Sequence, residues 1–318
     1  MNLPVTVEPE VLVLDNLRQQ AREYAENARS ANTQRAYETD LRMFREWCEA
    51  RGLTALPATP ETLSLYVADV AKAVKPSTLQ RRLSAISVAH RSAGYDSPLD
   101  HAVVKAVLRG ARRATAVAQT QKEALSVDDL RRMVAGIGAE RRRDIRDRAL
   151  LLVGFAGALR RSELVGLSTA NVRFEREGMT LTLRRSKTNQ EGALEQVAVP
   201  YGSDHRTCPV RALQAWLVCI KDGPVFREVD RHGNVGTKAL SSHAVGLIVK
   251  RHAGRIGLDS SAFGGHSLRS GFATSAARAG KSEAAIMRQT RHKSVTVARR
   301  YIRQGTKWDD HAGHGIGL

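Results

Sequence analysis

Several features of other protein classes are missing from this 318-residue sequence. No run of 18 or more apolar residues occurs, so no membrane span and no membrane partner are expected. Residues 1–15 contain no Lys or Arg and therefore lack the charged start of a secretory signal peptide. The sequence predicts a cytoplasmic protein that begins with a loose tail over residues 1–15.

Cysteine is also scarce. Cys48, Cys208 and Cys219 form no CxxC pair and have no metal-ligand spacing. Cys48 and Cys219 fall within apolar helical patterns, which is typical of core thiols in a reducing compartment. The sequence therefore predicts a site that works without a metal, and no cofactor is expected.

Positive charge, by contrast, is abundant. The formal net charge is +18, and a polyanion, most commonly nucleic acid, is the usual partner of so basic a chain. A protein that merely has a basic surface is the alternative. Lys and Arg exceed Asp and Glu in both main parts of the sequence, 16–123 and 124–318, so both parts could contact the same polyanion.

Four segments follow from the apolar pattern: a tail (1–15), a helical domain (16–113), a linker (114–123) and a mixed domain (124–318). Helical periodicity and capping residues predict helices at 30–50, from Thr59, from about 77 to 94 and at 99–114. In the mixed domain they predict helices from Ser126 and at about 141–159, 207–220, 240–256, 266–279, 283–290 and 294–303. Between these, GMTLTLRRSK and LEQVAVP flank the polar turn TNQEGA as in a β-hairpin. The expected fold is mainly α with a small antiparallel β-sheet (α+β), arranged as a two-domain clamp.

A tyrosine near the C-terminus lies among many cationic residues. His266 and Arg269 are three residues apart and share one helix face, and Tyr301 follows His292 by nine residues. A phenol becomes a nucleophile only when it loses its proton, and a phosphodiester is its natural electrophile in a basic site. Arginine suits the charge that develops on phosphate oxygens. Each residue alone has an ordinary structural explanation, so the order and spacing of the set carry the signal.

That order and spacing resemble the tyrosine recombinases of the phage integrase family. HSLR at 266–269, RH at 291–292 and Tyr301 are similar to the family's second conserved box. GALRRSELVGL is similar to its first, which places the family arginine at Arg160 and its acidic partner at Glu163. RRSKTNQ supplies the hairpin lysine as Lys187, with Arg184 and Arg185 as competing candidates. The resemblance covers about residues 18–305, and GHSLRSGFATSAARAGKSEAAIM looks most like the Cre-type branch.

The resemblance implies a role for each matched residue. Arg160 and Arg269 would hold the scissile phosphate, and His266 and His292 would add hydrogen bonds. Glu163 would orient His266 or Arg160, Lys187 would protonate the 5′-hydroxyl leaving group, and Tyr301 would form the 3′-phosphotyrosyl intermediate. One position departs from the family: many relatives have Leu-Gly-His where this chain has Thr290-Arg291-His292. Arg291 there implies either an altered turn or an arginine that reaches a phosphate.

Two helices carry the side-chain types that read DNA. Ser, Thr, Gln and Arg at a helix start can contact base edges and phosphates in the major groove. The expected contacts are Ser77, Thr78, Arg81 and Arg82 in the first domain and Ser242, His243, Lys250 and Arg251 in the second. The alternative is that many of these side chains only face water.

The expected function is site-specific recombination of double-stranded DNA at paired short inverted repeats. The protein would be a monomer in solution and a homo-tetramer on DNA, with possible accessory DNA-bending proteins. One alternative is a type IB topoisomerase-like enzyme that nicks and relaxes DNA, and the other is a non-catalytic DNA-binding accessory protein. In the family that this chain resembles, the segment after the tyrosine often docks on a neighbouring subunit, and Trp308 would be the natural anchor for such docking. The alternative is a frayed C-terminal end.

Overall fold

The structure is a computed structural model. It describes residue 14, residues 16–20, residue 24, and residues 31–115, 122–183, 195–292 and 294–307. Nearly all of the expected N-terminal tail, most of the linker, the hairpin turn with Lys187, and Trp308 lie outside the described residues. The chain divides into two compact units, residues 1–119 and 120–318. Among the described residues, no helix combines the length and the apolar character needed to cross a bilayer.

The first unit is helical. Phe44, Leu63, Leu83 and Ile86 are buried in its core. The sequence sets the helix starts: the Thr59 hydroxyl accepts a hydrogen bond from the Thr62 N–H at 3.1 Å, as expected for a capping residue. Its described helices are α1 (Ala31–Glu49), α2 (Pro60–Val70), α3 (Pro76–Ser92) and α4 (Ala102–Ala114).

The second unit is built from helices around a larger core. Its first helix is capped as predicted, because the Ser126 hydroxyl accepts from the Asp129 N–H at 3.0 Å. A central helix, α6 (Arg142–Ala156), is buried along most of its length and packs against α8 (Pro209–Leu217). The described helices of this unit are α5 (Val127–Ala135), α6 (Arg142–Ala156), α7 (Arg161–Val165), α8 (Pro209–Leu217), α9 (Ser242–Arg255), α10 (Gly265–Arg278), α11 (Glu283–Thr290) and α12 (Val295–Gly305).

Two small antiparallel sheets complete the second unit. The strands are β1 (Val172–Phe174), β2 (Gly178–Leu183), β3 (Glu195–Pro200), β4 (Arg227–Val229) and β5 (Val235–Ala239). In the first sheet, β2 pairs with β1 and with β3, and Leu181 lies opposite both Val172 and Val197. The β2–β3 pairing confirms the predicted hairpin, whereas β1 and the separate β4–β5 pair were not foreseen because they are short and mostly exposed. The mainly helical α+β class is confirmed.

Helix α10 connects the core to the candidate site. It packs against α6, α11 and α12. Two glycines allow close approaches: a Cβ on Gly271 would collide with the Leu125 carbonyl oxygen, and a Cβ on Gly305 would lie 2.5 Å from the Thr274 carbonyl oxygen. Because α12 is held this tightly against α10, residues of the two helices can meet at one point.

Candidate active site

The first part of the site is the start of α7, where an arginine and a glutamate form a closed pair. The Arg160 N–H donates to Glu163 Oε2 at 2.8 Å, and the Arg160 guanidinium donates to Glu163 Oε1. The Glu163 side chain has no solvent exposure, while that of Arg160 is 18% exposed. The carboxylate therefore fixes both the start of the helix and the direction of the guanidinium.

A second arginine enters from α10. Arg269 is 2% exposed, and its Nη1 donates to the Ala158 carbonyl oxygen at 2.8 Å. Ala158 has a φ of 46°, an unusual conformation for a residue with a Cβ, in the loop before α7. Among the described residues, no acceptor lies within hydrogen-bond range of the buried Arg269 Nη2. One end of this guanidinium is fixed and the other is available to an anion.

The tyrosine meets the first histidine directly. His266 Nε2 lies 2.8 Å from the Tyr301 hydroxyl oxygen, a hydrogen-bond distance between α10 and α12. Tyr301 is half-buried, and its ring packs against the small apolar cluster of Ala273, Ala277 and Ile286. When the neutral ring of His266 carries its proton on Nδ1, its Nε2 accepts the hydrogen bond from the phenol.

The second histidine packs against the same tyrosine. The His292 and Tyr301 rings are stacked, with centroids 5.7 Å apart and planes 21° apart. The buried Thr290 hydroxyl lies 2.7 Å from the Ile286 carbonyl oxygen, to which it donates, and 2.8 Å from His292 Nδ1. Because the Thr290 hydroxyl proton is engaged by the Ile286 carbonyl oxygen, the Thr290 oxygen accepts a hydrogen bond from the Nδ1–H of His292. This contact holds the ring in place and leaves Nε2 for other partners.

Partial burial, together with the surrounding cations, keeps both histidines neutral at pH 7. Burial, followed by Arg269 and Arg160, lowers the pKa of His292 to about 4. Burial and the nearby Arg269, Arg161 and Arg160 also lower the pKa of His266. Burial and the positive charges of Arg160 and Arg291 lower the pKa of Arg269 to about 9, so it is still a cation at neutral pH.

Glu163 is the buried anion of this group. Burial alone would raise the pKa of its carboxyl, but Arg291 and the hydrogen bonds from Arg160 outweigh burial and lower it. Glu163 therefore stays ionised. No hydrogen bond joins it to His266 within the described part of the site, so of the two orienting roles considered, the contacts favour Arg160.

Six of the seven predicted catalytic residues come together in this way. They are Arg160, Glu163, His266, Arg269, His292 and Tyr301. Lys187 lies outside the described residues, as do Arg184 and Arg185. Sequence reasoning did not foresee the inward contacts of Arg291, whose guanidinium donates to Glu163 Oε2 at 2.6 Å. The only signal was the unusual Thr-Arg-His triplet.

The first predicted DNA-reading helix uses its arginines within its own unit. Arg81 donates to both carboxylate oxygens of Asp40, at 2.8 Å and 3.0 Å, and Asp40 is buried. The Arg82 side chain is 12% exposed and donates to the Tyr66 hydroxyl at 3.3 Å. Ser77 is exposed and Thr78 half-buried, at the start of the helix. A DNA contact by any of these four residues, Ser77, Thr78, Arg81 and Arg82, stays a prediction.

The second predicted DNA-reading helix, α9, also has an arginine with an internal partner. The Arg251 guanidinium forms an ion pair with Asp147, which is fully buried and also contacts Arg146 and His252. His243 is exposed, and Ser242 and Lys250 are half-buried. A DNA contact by these side chains likewise stays a prediction, but Arg251 has a clear structural task.

Comparison with known proteins finds relatives that match over most of this chain. The family model "Phage integrase family" matches residues 123–307, and the model "Phage integrase, N-terminal SAM-like domain" matches residues 23–93. An integrase/recombinase xerD homolog from Selenomonas ruminantium is 40% identical over 303 residues, which cover 94% of this chain and 89% of that protein. The recombinase cre of Escherichia phage P1 is 27% identical over 285 residues, which cover 82% of this chain and 81% of that protein.

Solved structures share the fold at low sequence identity. The Tn1549 transposon integrase in complex with circular intermediate DNA has a TM-score of 0.61 and 15% identity, with 89% of this chain and 92% of that one covered. A lambda integrase dimer bound to a COC′ core site has a TM-score of 0.60 and 17% identity, with 96% of this chain and 84% of that one covered. The family model over residues 123–307 and the 40% identical relative show that the chain belongs to the phage integrase family. It is an enzyme of the tyrosine recombinase class, as the resemblance implied.

Proposed function

We propose that this protein cuts and rejoins double-stranded DNA at specific sites through a covalent bond between Tyr301 and a 3′-phosphate. The observation that carries this proposal is the 2.8 Å contact between His266 Nε2 and the Tyr301 hydroxyl, beside the buried Arg269. A phenol, a neutral base and an arginine with a free donor are the groups that attack on a phosphodiester requires.

In the proposed first step, the scissile phosphate binds between Arg160 and Arg269. Two guanidinium groups can stabilise the negative charge that grows on the non-bridging oxygens as the Tyr301 oxygen attacks phosphorus. His266 accepts the phenol proton. The bound phosphate, being an anion, favours the protonated form of His292, whose Nε2 can then donate to an oxygen.

In the same step, the bond from phosphorus to the 5′-oxygen breaks as the bond from Tyr301 forms. The leaving oxygen needs a proton, and we assign this role to Lys187 on the evidence of its motif. Because the phosphotyrosyl bond conserves the energy of the phosphodiester, a 5′-hydroxyl can reverse the step and rejoin a strand without ATP. Neither a metal nor a cofactor takes part in the proposed steps.

The two basic units would hold the DNA. The structure leaves all of the proposed contacts partly or fully exposed: Ser77, Thr78, Arg81, Arg82, Ser242, His243, Lys250 and Arg251. We further propose that the protein acts in the cytoplasm as a homo-tetramer on paired inverted repeats and is a monomer without DNA. Light scattering of the protein bound to the duplex measures tetramer assembly. Exchange between two sites is measured by mixing two labelled DNAs and detecting recombinant strands. Relaxation of supercoils without any exchange would instead support the topoisomerase-like alternative.

A nicked suicide duplex tests the chemistry. The duplex carries an inverted repeat sought in the DNA beside the gene, and a nick near its spacer releases a short fragment after cleavage, so that the adduct cannot reverse. We expect a covalent protein–DNA band on a denaturing gel, and mass spectrometry should find the DNA on Tyr301. Tyr301→Phe should bind the duplex but give no adduct, because it lacks the attacking oxygen.

Tyr95→Phe is the matched control. Tyr95 is an exposed tyrosine of the first unit, and this variant also loses a single hydroxyl. It should form the adduct at the wild-type rate. An adduct formed by Tyr301→Phe, or none formed by the wild-type protein on its own repeats, would contradict the proposed function.

A further inference from the structure

Arg291 ends α11 in a backbone conformation that arginine rarely adopts. Its φ and ψ are 54° and 44°, in the left-handed region, where a Cβ meets steric resistance and where glycine or asparagine is usual at a helix end. Its N–H donates to the Met287 carbonyl oxygen at 2.7 Å, which is the ordinary bond of such a turn. The backbone here favours glycine, so the reason for an arginine must lie in its side chain.

The side chain points into the protein. It is 8% exposed, and its Nη2 donates to Glu163 Oε2 at 2.6 Å. Nη1 donates to the carbonyl oxygens of Gln289 at 2.7 Å and Gly157 at 3.3 Å. The guanidinium thus ties the end of α11 to the loop before α7 and to the carboxylate on α7.

Arg291 also touches the environment of both proposed phosphate-binding arginines. Its carbonyl oxygen accepts from Arg160 Nη2 at 3.2 Å. Its Nη2 lies 3.4 Å from the Ala158 carbonyl oxygen, which also accepts from Arg269 Nη1 at 2.8 Å. One residue therefore shares partners with Arg160 and with Arg269.

The charge balance gives this arrangement a consequence. Glu163 is fully buried and binds two guanidinium groups, those of Arg160 and Arg291. A carboxylate shared in this way neutralises neither cation completely, and Arg291 has a second carboxylate nearby, because its Nε lies 3.6 Å from Glu195 Oε2. If Arg291 were removed, the whole negative charge of Glu163 would act on Arg160, and one of the two groups that fix the carboxylate would be gone.

We propose that Arg291 is a positioning residue that holds Glu163, and through it Arg160, in the geometry that receives the scissile phosphate. This inference rests on the proposed function. It assigns Arg291 to Glu163 instead of to a phosphate, and it explains why an arginine stands at a turn where glycine would be less strained.

The test compares cleavage of the suicide duplex by four variants. They are Arg291→Gly, Arg291→Lys, Glu163→Gln and the double variant that combines Arg291→Gly with Glu163→Gln. Single-turnover cleavage is measured at saturating protein, and Kd is measured on the same duplex by fluorescence anisotropy. Arg291→Gly should slow cleavage by about 100-fold through misplacement of the phosphate-binding group, with Kd unchanged. Arg291→Lys should rescue part of the loss, because lysine keeps the charge without the two-pronged geometry.

The double variant should cleave no more slowly than Glu163→Gln alone, because Arg291 acts through Glu163. Arg288→Ala is the control: it removes an exposed cation from the same helix and should cleave as the wild type does. Glycine relieves the strain of the left-handed turn, but Arg291→Gly also removes a buried partner of Glu163, so its thermal unfolding midpoint should fall. If Arg291→Gly is unfolded in the assay, Arg291→Lys takes its place. Arg291→Lys should then cleave more slowly than the wild type, and the double variant Arg291→Lys with Glu163→Gln should cleave no more slowly than Glu163→Gln alone.

Three results would overturn the inference while leaving the proposed function intact. They are wild-type cleavage by Arg291→Gly, multiplication of the single losses in the double variant, and weaker DNA binding at an unchanged cleavage rate. The last would mark Arg291 as a phosphate ligand. If the wild-type protein itself formed no adduct on its own repeats, both the proposed function and this inference would fail.

Discussion

His292 illustrates how neighbouring side chains decide the state of a residue. Its pKa is about 4, compared with the usual 6.5, because it is buried among Arg269, Arg160, His266 and Arg291. The sequence placed a histidine at this position, but its neutral state depends on burial and on charges brought in from α10, the start of α7 and the end of α11. The Thr290 hydroxyl then fixes the ring.

The lowered pKa of His292 predicts a pH-dependent stability. Between about pH 6.5 and pH 4 the unfolded chain binds a proton on this ring that the folded protein does not, so the free energy of unfolding decreases as the pH falls through that window. His292→Asn should weaken this dependence. It should not abolish it, because the pKa of His266 is lowered too.

Guanidinium unfolding of the second unit at pH 7, 6 and 5 measures the effect, above the range in which the carboxylates titrate. His243→Asn is the control, since His243 is exposed. An equally steep pH dependence in His292→Asn and in the wild type would show that His292 is not a neutral ring in the folded protein.

Among elements, α6 and α9 are joined by a buried charge cluster. Asp147 on α6 binds Arg146 of the same helix and Arg251 and His252 of α9, and the His252 Nε2 contact is 3.0 Å long. Two cations and a histidine surround one carboxylate, and they lower its pKa although burial alone would raise it. This cluster fixes how α9 lies on α6.

Asp147→Asn should destabilise the protein by about 3–5 kcal/mol, because it leaves the buried Arg146 guanidinium and the half-buried Arg251 guanidinium without their anion. Asp128→Asn is the matched control. The Asp128 side chain is 86% exposed and pairs with Arg131, so its loss should cost less than about 1 kcal/mol. Guanidinium unfolding compares the two, and equal losses would contradict a structural role for the cluster.

The contact between α10 and the segment before α5 depends on a glycine. A Cβ at Gly271 would collide with the Leu125 carbonyl oxygen. The Leu125 N–H donates to the Ser267 carbonyl oxygen at 3.0 Å, which holds this segment against α10. Gly271→Ala should therefore destabilise the second unit by about 1–3 kcal/mol, as overpacking does. Gly110→Ala, in α4, meets no atom within 4 Å and should stabilise the first unit by up to about 1 kcal/mol. Thermal unfolding measures both; a stabilising Gly271→Ala would contradict the close packing.

At the scale of the whole molecule, the two units are each built around their own core. The helix pattern of both was predictable, because apolar periodicity and capping residues such as Thr59 and Ser126 act locally. The β4–β5 pair was not, because strands of three and five residues with exposed side chains carry little periodic signal.

The net charge of +18 predicts a steep dependence of DNA affinity on salt. If six to ten phosphates are neutralised, affinity should fall by about 10³–10⁵-fold between about 50 and 200 mM salt, because bound counterions are released. Fluorescence anisotropy with the inverted-repeat duplex measures this slope, and an uncharged peptide nucleic acid duplex of the same sequence serves as the control. A nearly flat response with DNA would contradict binding through the phosphate backbone.

The sequence by itself determined which residues belong to the candidate site, because motif order and spacing identify Arg160, Glu163 and the HSLR segment without any fold. It also determined most of the helices. Only the tertiary structure decided which cations are engaged inside the protein. Arg81 reaches Asp40 across 41 positions, Arg251 reaches Asp147 across 104, and Arg291 reaches Glu163 across 128. A buried carboxylate must find a positive partner, and the partner it finds is set by the folded chain, because distance along the sequence says nothing about distance in space.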